Sequence, residues 1–216
     1  MAGLPVVHAD EHLLVVDKPA GLLSVPGRGA DKHDCAATRV QRVYPDALVV
    51  HRLDMATSGL LLMARGAATQ RALSRAFAER QVEKRYHAIV AGRLDGLRPG
   101  RDGWSLIDVP LAADWPNRPR RIVDYAKGKP SQTRWRVLAH DPAAEATRIE
   151  LEPLTGRSHQ LRVHLQWLGH PILGDALYAP PEALARAPRL LLHASRLQLV
   201  HPVTREPLTW TSTVPF

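Results

Sequence analysis

The run Val49-Val50-His51-Arg52-Leu53-Asp54-Met55-Ala56-Thr57-Ser58-Gly59 delivers one cation and one carboxylate into a tight polar turn. Val49 to Leu53 predicts a buried strand that ends at Asp54. Thr57-Ser58-Gly59 then turns the chain into a second apolar run, Leu60-Leu61-Leu62-Met63-Ala64, so Asp54 falls at a strand–loop–strand junction. Two readings of Asp54 stand side by side. It caps the turn through an Asx bond, the usual job of an Asp before Thr-Ser-Gly, or it is a working carboxylate.

Upstream, His12-Leu13-Leu14-Val15-Val16 reads as the first strand, closed by the turn-rich Lys18-Pro19-Ala20-Gly21. Downstream the spacing changes: Leu73 and Phe77 share one helical face with Ala72 and Ala76, Arg71 and Arg75 point elsewhere, and Thr69 is the expected N-cap. Lys84 to Val90 alternates, which puts Lys84, Tyr86, Ala88 and Val90 on one face of a strand, with Tyr86 toward the core. Thr155-Gly156 introduces a second helix with an apolar stripe of Leu161, Leu165 and Leu168. His159, Arg162 and Gln166 form its polar face, and Gly169 terminates it. Leu94 to Gly103 reads as a surface loop. Short strand signals with only two longer helices predict an α+β fold, with a mixed, mainly antiparallel sheet flanked by helices and loops.

A chain of 216 residues with 45% hydrophobic content suits one compact domain, residues 1–216. The 29 Lys+Arg against 21 Asp+Glu give a formal charge of +8, a field that favours polyanions and makes nucleic acid the leading partner class. Cys35 is the only cysteine, which excludes an internal disulfide and a zinc site built of cysteines and suits a reducing cytoplasm. The opening Met1-Ala-Gly-Leu-Pro5 has no basic n-region, and charges or Pro interrupt every apolar stretch. Secretion and membrane insertion are therefore not expected. The 11 histidines lack ligand spacing, and neither a dinucleotide loop nor a Gly-Lys-Ser/Thr phosphate loop is present.

His51 to Gly59 resembles the signature loop of the RluA-type pseudouridine synthases. Leu154-Thr155-Gly156-Arg157-Ser158-His159-Gln160-Leu161-Arg162-Val163-His164, continuing into Gly169-His170-Pro171-Ile172-Leu173-Gly174-Asp175, is similar to that family's second long motif. Lys84-Arg85-Tyr86 resembles its strand motif, and Lys18-Pro19-Ala20-Gly21-Leu22 with Pro26 its opening motif, read as scaffold. Asp114-Trp115-Pro116-Asn117-Arg118-Pro119 and Leu22-Leu23-Ser24-Val25-Pro26-Gly27-Arg28 point to the branch that acts on both ribosomal and transfer RNA. The resemblance runs from about His12 to the C-terminus, with no departure at a presumed catalytic position.

The resemblance implies isomerisation of uridine to pseudouridine in structured RNA, in a hairpin loop of 23S ribosomal RNA and the anticodon stem-loop of some transfer RNAs, by a cytoplasmic monomer. It makes Asp54 the catalytic carboxylate and sets Tyr86 beside the reacting base, where the phenol packs on the ring and helps remove the C5 proton. Arg52 fills the gap left by the flipped base. Arg157 is read as a cation at a helix N-terminus, where the macrodipole disfavours positive charge, so it answers an anion: the Asp54 carboxylate or an RNA phosphate. Trp115 to Arg121, with Arg118, Arg120 and Arg121, suits a loop that grips a phosphate backbone. The early first strand leaves no room for an N-terminal accessory RNA-binding module. Because the reaction rearranges one nucleotide without electron transfer, no cofactor and no metal are expected. Two rivals remain: a non-catalytic RNA-binding protein or chaperone, for which a carboxylate beside phosphate is only a cost, and a hydrolytic nucleoside glycosidase, which would pair two carboxylates where this motif offers one.

Overall fold

The computed structural model describes residues 4–27, 29, 33–95, 100 and 102–216. In chain order the elements are β1 Val6–Ala9, β2 Leu13–Lys18, α1 Ala36–Gln41, β3 Ala47–Val49, β4 Ser58–Arg65, α2 Ala67–Ala78, β5 Glu83–Ala91, β6 Ser105–Asp108, β7 Leu111–Ala113, β8 Arg121–Val123, β9 Gln132–Asp141, β10 Ala146–Pro153, α3 Gln160–Trp167, α4 Pro181–Leu184, β11 Leu192–Val200 and β12 Pro207–Thr211. The chain divides into two compact units, Met1–Lys84 with His193–Pro215, and Arg85–Leu192 with Phe216.

In the first unit β4 is the central strand, because Ser58 to Ala64 are all buried. It runs antiparallel to β2, with Leu13 opposite Ala64 and Lys18 opposite Gly59. β3 pairs with Met63 to Arg65, and β11 runs parallel to Ser58 and Gly59. β12 pairs with β11, and β1 with β2, both antiparallel. The period-2 rule puts Leu13, Val15, Leu60, Leu62 and Ala64 on one face, where they pack with Leu73 of α2 and with Leu197, Leu199 and Trp210. Leu14, Val16, Leu61 and Met63 are buried on the other face. In the second unit β10 sits between β5 and β9, and β6 lies beyond β9, all antiparallel; β7 and β8 form a separate hairpin. One parallel ladder among antiparallel ones makes this the mixed α+β architecture that the sequence predicts.

Four local expectations need correction. β3 stops at Val49, so His51 to Asp54 are not strand. The backbone bonds there are made by side chains: the Leu62 N–H donates to His51 Nε2 at 2.9 Å, and Ser24 binds the main chain of Leu53. α2 is capped by Gly66 at φ 77, while Thr69 is buried inside its first turn and Ala72 is exposed. α3 begins at Gln160 behind the left-handed N-cap His159, and Arg162 on its supposed polar face is buried in a two-pronged pair with Asp175 at 2.7 and 2.6 Å. Leu94, at the start of the expected surface loop, is buried and donates its N–H to Thr147. Residues 96–99 and 101 of that loop, and Arg28 of the Leu22–Arg28 stretch, lie outside the described residues.

Candidate active site and nucleic-acid interface

Asp54 and Arg52 belong to the first unit. Arg52 is exposed and Asp54 half-buried, between the buried Leu53 and Thr57. The main chain on both sides of Asp54 is held by the opening motif. Before it, the Ser24 hydroxyl donates to Leu53 O at 2.8 Å and accepts from Leu53 N–H at 3.1 Å. After it, Met55 O accepts from the Gly21 N–H at 2.9 Å and from Lys18 Nζ at 3.1 Å. Lys18 is fully buried, and its ammonium also donates to Leu22 O and Pro19 O at 2.7 and 2.9 Å. A buried cation that satisfies three carbonyls rigidifies the loop. The turn itself closes from Thr57 N–H to Asp54 O at 3.1 Å. Past it, Gly59 at φ 109 lies so close to β11 that a Cβ would stand 2.3 Å from Ala194 O; only glycine fits.

His51 stacks on Phe77 with 4.5 Å between ring centroids. Burial, aided by the nearby Lys84 ammonium, pushes its imidazole down to about 3. The ring is therefore neutral at physiological pH, as its role as acceptor for Leu62 N–H requires.

Tyr86, Arg157 and the three loop arginines belong to the second unit. Tyr86 is half-buried on β5 opposite Leu151 of β10. Its neighbour Arg85 pairs with Glu152, which also accepts from Arg134 at 2.8 Å, so charge pairs on adjacent strands brace this part of the sheet. Arg157 is exposed and precedes the helix by a turn, which removes the macrodipole argument made for it. Its loop is fixed through Gln160, whose Oε1 accepts from Arg157 N–H and the Thr155 hydroxyl while Nε2 donates to Gln132 O and Thr133 Oγ1.

The structure brings Arg157 and Arg121 together in one cleft of about 720 Å³, with Trp115, Lys127 and Lys129 also on its wall. Two carboxylates share the wall, and both are committed to local turns. Asp114 accepts from the Asn117 side chain at 3.1 and 3.0 Å. Asp124 accepts from the N–H groups of Lys127 and Ala126, which hold its carboxyl below the usual range. The cleft thus presents net positive charge. Trp115, 68% exposed, carries the Arg118 guanidinium 4.8 Å from its ring centroid. Arg120 lies over Tyr178, whose hydroxyl accepts from Arg121 N–H at 2.8 Å and pairs with His159 Nδ1 at 2.7 Å. Tyr178 therefore ties the β8 end of the hairpin to the cap of α3.

Sequence reasoning missed the depth of Lys18, the Arg162–Asp175 pair and the Tyr178 tie. Lys18 was read into the turn that closes the first strand, whereas β2 runs on through it. Among the described residues no group of three or more His, Cys, Asp or Glu is placed to hold a metal ion, and no helix is long and apolar enough to cross a membrane.

The RNA pseudouridylate synthase family model matches residues 12–167. The dual-specificity RNA pseudouridine synthase RluA of Escherichia coli (strain K12) is 49% identical over 213 residues, covering 99% of this chain and 94% of that protein. The RluA of Pasteurella multocida is 47% identical over 209 residues, covering 97% and 92%. Among solved structures, human RNA pseudouridylate synthase domain containing 1 superposes with a TM-score of 0.78 at 29% identity, covering 99% of this chain and 84% of that one.

Proposed function

The chain belongs to the RNA pseudouridylate synthase family, and on that premise we propose that it isomerises particular uridines in a 23S ribosomal RNA hairpin loop and in the anticodon stem-loop of some transfer RNAs, as a cytoplasmic monomer. The RluA relatives are dual-specificity RNA pseudouridine synthases, which supports two classes of substrate. The activity itself, conversion of uridine to pseudouridine in RNA, follows from the family.

The reaction breaks the bond between ribose C1′ and uracil N1, turns the base and joins C1′ to C5. The C5 proton is lost and N1 gains one, so product and substrate are isomers and no redox partner enters. Asp54 is the catalytic carboxylate in this reading. The observation that carries it is the clamp on both of its chain neighbours by Ser24, Gly21 and the buried Lys18. Such a clamp has a purpose where one side chain must be presented within a fraction of an ångström. Whether Asp54 attacks C1′, adds to the ring or takes a sugar proton, each route needs it ionised and fixed. Tyr86 packs on the uracil ring and helps remove the C5 proton, and the exposed Arg157 supplies a cation that answers a carboxylate or an RNA phosphate.

A base inside a folded RNA must leave its stack to be reached, and Arg52, exposed and planar, fills the vacated place. Arg118, Arg120 and Arg121 grip the phosphate backbone. Support comes from the net positive cleft beside them and from the exposed Trp115, a face for an unpaired base. The test is to incubate purified protein with transcripts of both RNA classes and map pseudouridine by carbodiimide labelling and primer extension. Site-specific product in both is expected; product in one alone removes the dual specificity, and in neither the proposal.

A further inference from the structure

We propose that His193 is a positioning residue for this reaction, acting through Ser58 to fix the exit of the loop that carries Asp54. The inference rests on the reading of Asp54 as the catalytic carboxylate. His193 and Ser58 are 2% and 4% exposed and lie opposite each other in the parallel pairing of β11 with β4. Ser58 Oγ is 2.9 Å from His193 Nδ1, His193 Nε2 is 3.0 Å from Ser212 Oγ, and the Ser212 hydroxyl donates to Asp17 Oδ2.

The direction of these bonds follows from proton counting. The single hydroxyl proton of Ser212 goes to Asp17, so its oxygen accepts from His193 Nε2–H. The tautomer with its single proton on Nε2 leaves the lone pair on Nδ1, which accepts from the Ser58 hydroxyl. Four side chains form one relay directed from the catalytic loop to Asp17. Its order is that of a serine–histidine–acid triad with one hydroxyl inserted, but the buried Ser58 has no surface on which to meet a substrate. The relay holds a position instead of supplying a nucleophile.

The relay ties distant parts of the chain to one point. Asp17 stands on β2 opposite Leu60, and Ser212 is held to β11 by its N–H to Ser195 O at 2.8 Å. At the next residue Gly59 already touches the Ala194 backbone, so the loop exit cannot shift toward β11 to compensate for a lost bond. Ser58 directly follows Thr57, whose N–H closes the turn on Asp54 O. A displacement there reaches the carboxylate, and an error of about 1 Å in a reacting group costs up to about 100-fold in rate.

The test is single-turnover and steady-state kinetics of Ser58→Ala, His193→Ala, Ser212→Ala and the Ser58→Ala/His193→Ala pair on one RNA stem-loop, with thermal unfolding recorded for each. Expected is a loss in kcat of about tenfold for Ser58→Ala and His193→Ala and a smaller one for Ser212→Ala, with KM and RNA affinity within about twofold. The pair should be no worse than either single change, because both break one relay. His193→Asn, whose Oδ1 stands near the place of Nδ1, should recover part of the loss. Should His193→Ala fail to fold, Ser58→Ala and Ser212→Ala decide. Unchanged kcat in those variants, or effects that add, overturns the proposal. Asp54→Asn in the same assay separates the two levels: if it stays active, the reading of Asp54 has failed, independently of the relay.

Discussion

The ammonium of Lys18, fully buried, donates to the main-chain carbonyl of Met55, the residue that follows Asp54, at 3.1 Å. A charge from the opening motif thus supports the loop of the signature motif. Lys18→Met would leave the carbonyls of Pro19 and Leu22 without this donor, while Met55 O would keep only the Gly21 N–H, and unsatisfied buried polar groups cost about 1–3 kcal/mol each. Urea unfolding should show a loss on the order of 3 kcal/mol or more. An unchanged midpoint would mean that the ammonium is not what holds the loop.

Gly59 and Gly66 both have positive φ, at 109° and 77°, but only Gly59 is enclosed. Gly66, at φ 77 and ψ 158 in a region essentially confined to glycine, has open space for a methyl, so Gly66→Ala should cost on the order of 1–3 kcal/mol in backbone strain alone. Gly59→Ala drives a methyl into the Ala194 backbone and must part β11 from β4, so expression of folded protein should be lost. Equal effects of the two changes on thermal stability would contradict the close approach.

Replacing Arg118, Arg120 and Arg121 with Ala should weaken RNA binding and flatten its dependence on salt, by about one unit of log–log slope for each phosphate contact removed. Affinity measured across a salt series checks this. A slope equal to that of the parent protein would remove these residues from the phosphate grip.

His164 is buried, with Nδ1 on Thr133 Oγ1 and Nε2 on Val109 O, and burial pushes its imidazole down to about 4. Above about pH 6.5 the ring is neutral in both folded and unfolded chains and costs nothing. Between about 6.5 and 4 only the unfolded chain takes up the proton, so stability falls as pH falls, and below about 4 the loss levels off. The span from 6.5 to about 4 corresponds to roughly 3 kcal/mol at 1.36 kcal/mol per pH unit. Unfolding free energies of the parent and of His164→Gln between pH 7 and 4 should converge as pH drops; parallel curves would contradict the neutral buried ring.

Where sequence and structure agree, the signal is local. The apolar run of β4, the alternation of Lys84 to Val90 and Gly169 after α3 each depend on neighbours along the chain. The candidate site was legible only as motifs, with Asp54 in its turn and Trp115 to Arg121 in a basic loop. What escaped was made by partners distant in sequence. The strand expected through Leu53 stops at Val49 because a side chain, His51, takes the Leu62 N–H that a strand would have bound. Arg162 looked solvated because its partner Asp175 follows only after the helix has ended. Periodicity marks such a position as polar, and only the packed chain shows it buried.

The most direct test of the account is pseudouridine formation by Asp54→Asn, a change that removes the charge and keeps the volume. With one RNA stem-loop, product should fall below detection while RNA affinity stays within about threefold of the parent, since uncharged Asn removes no phosphate contact. Product formed at an undiminished rate would contradict the assignment of Asp54 as the catalytic carboxylate.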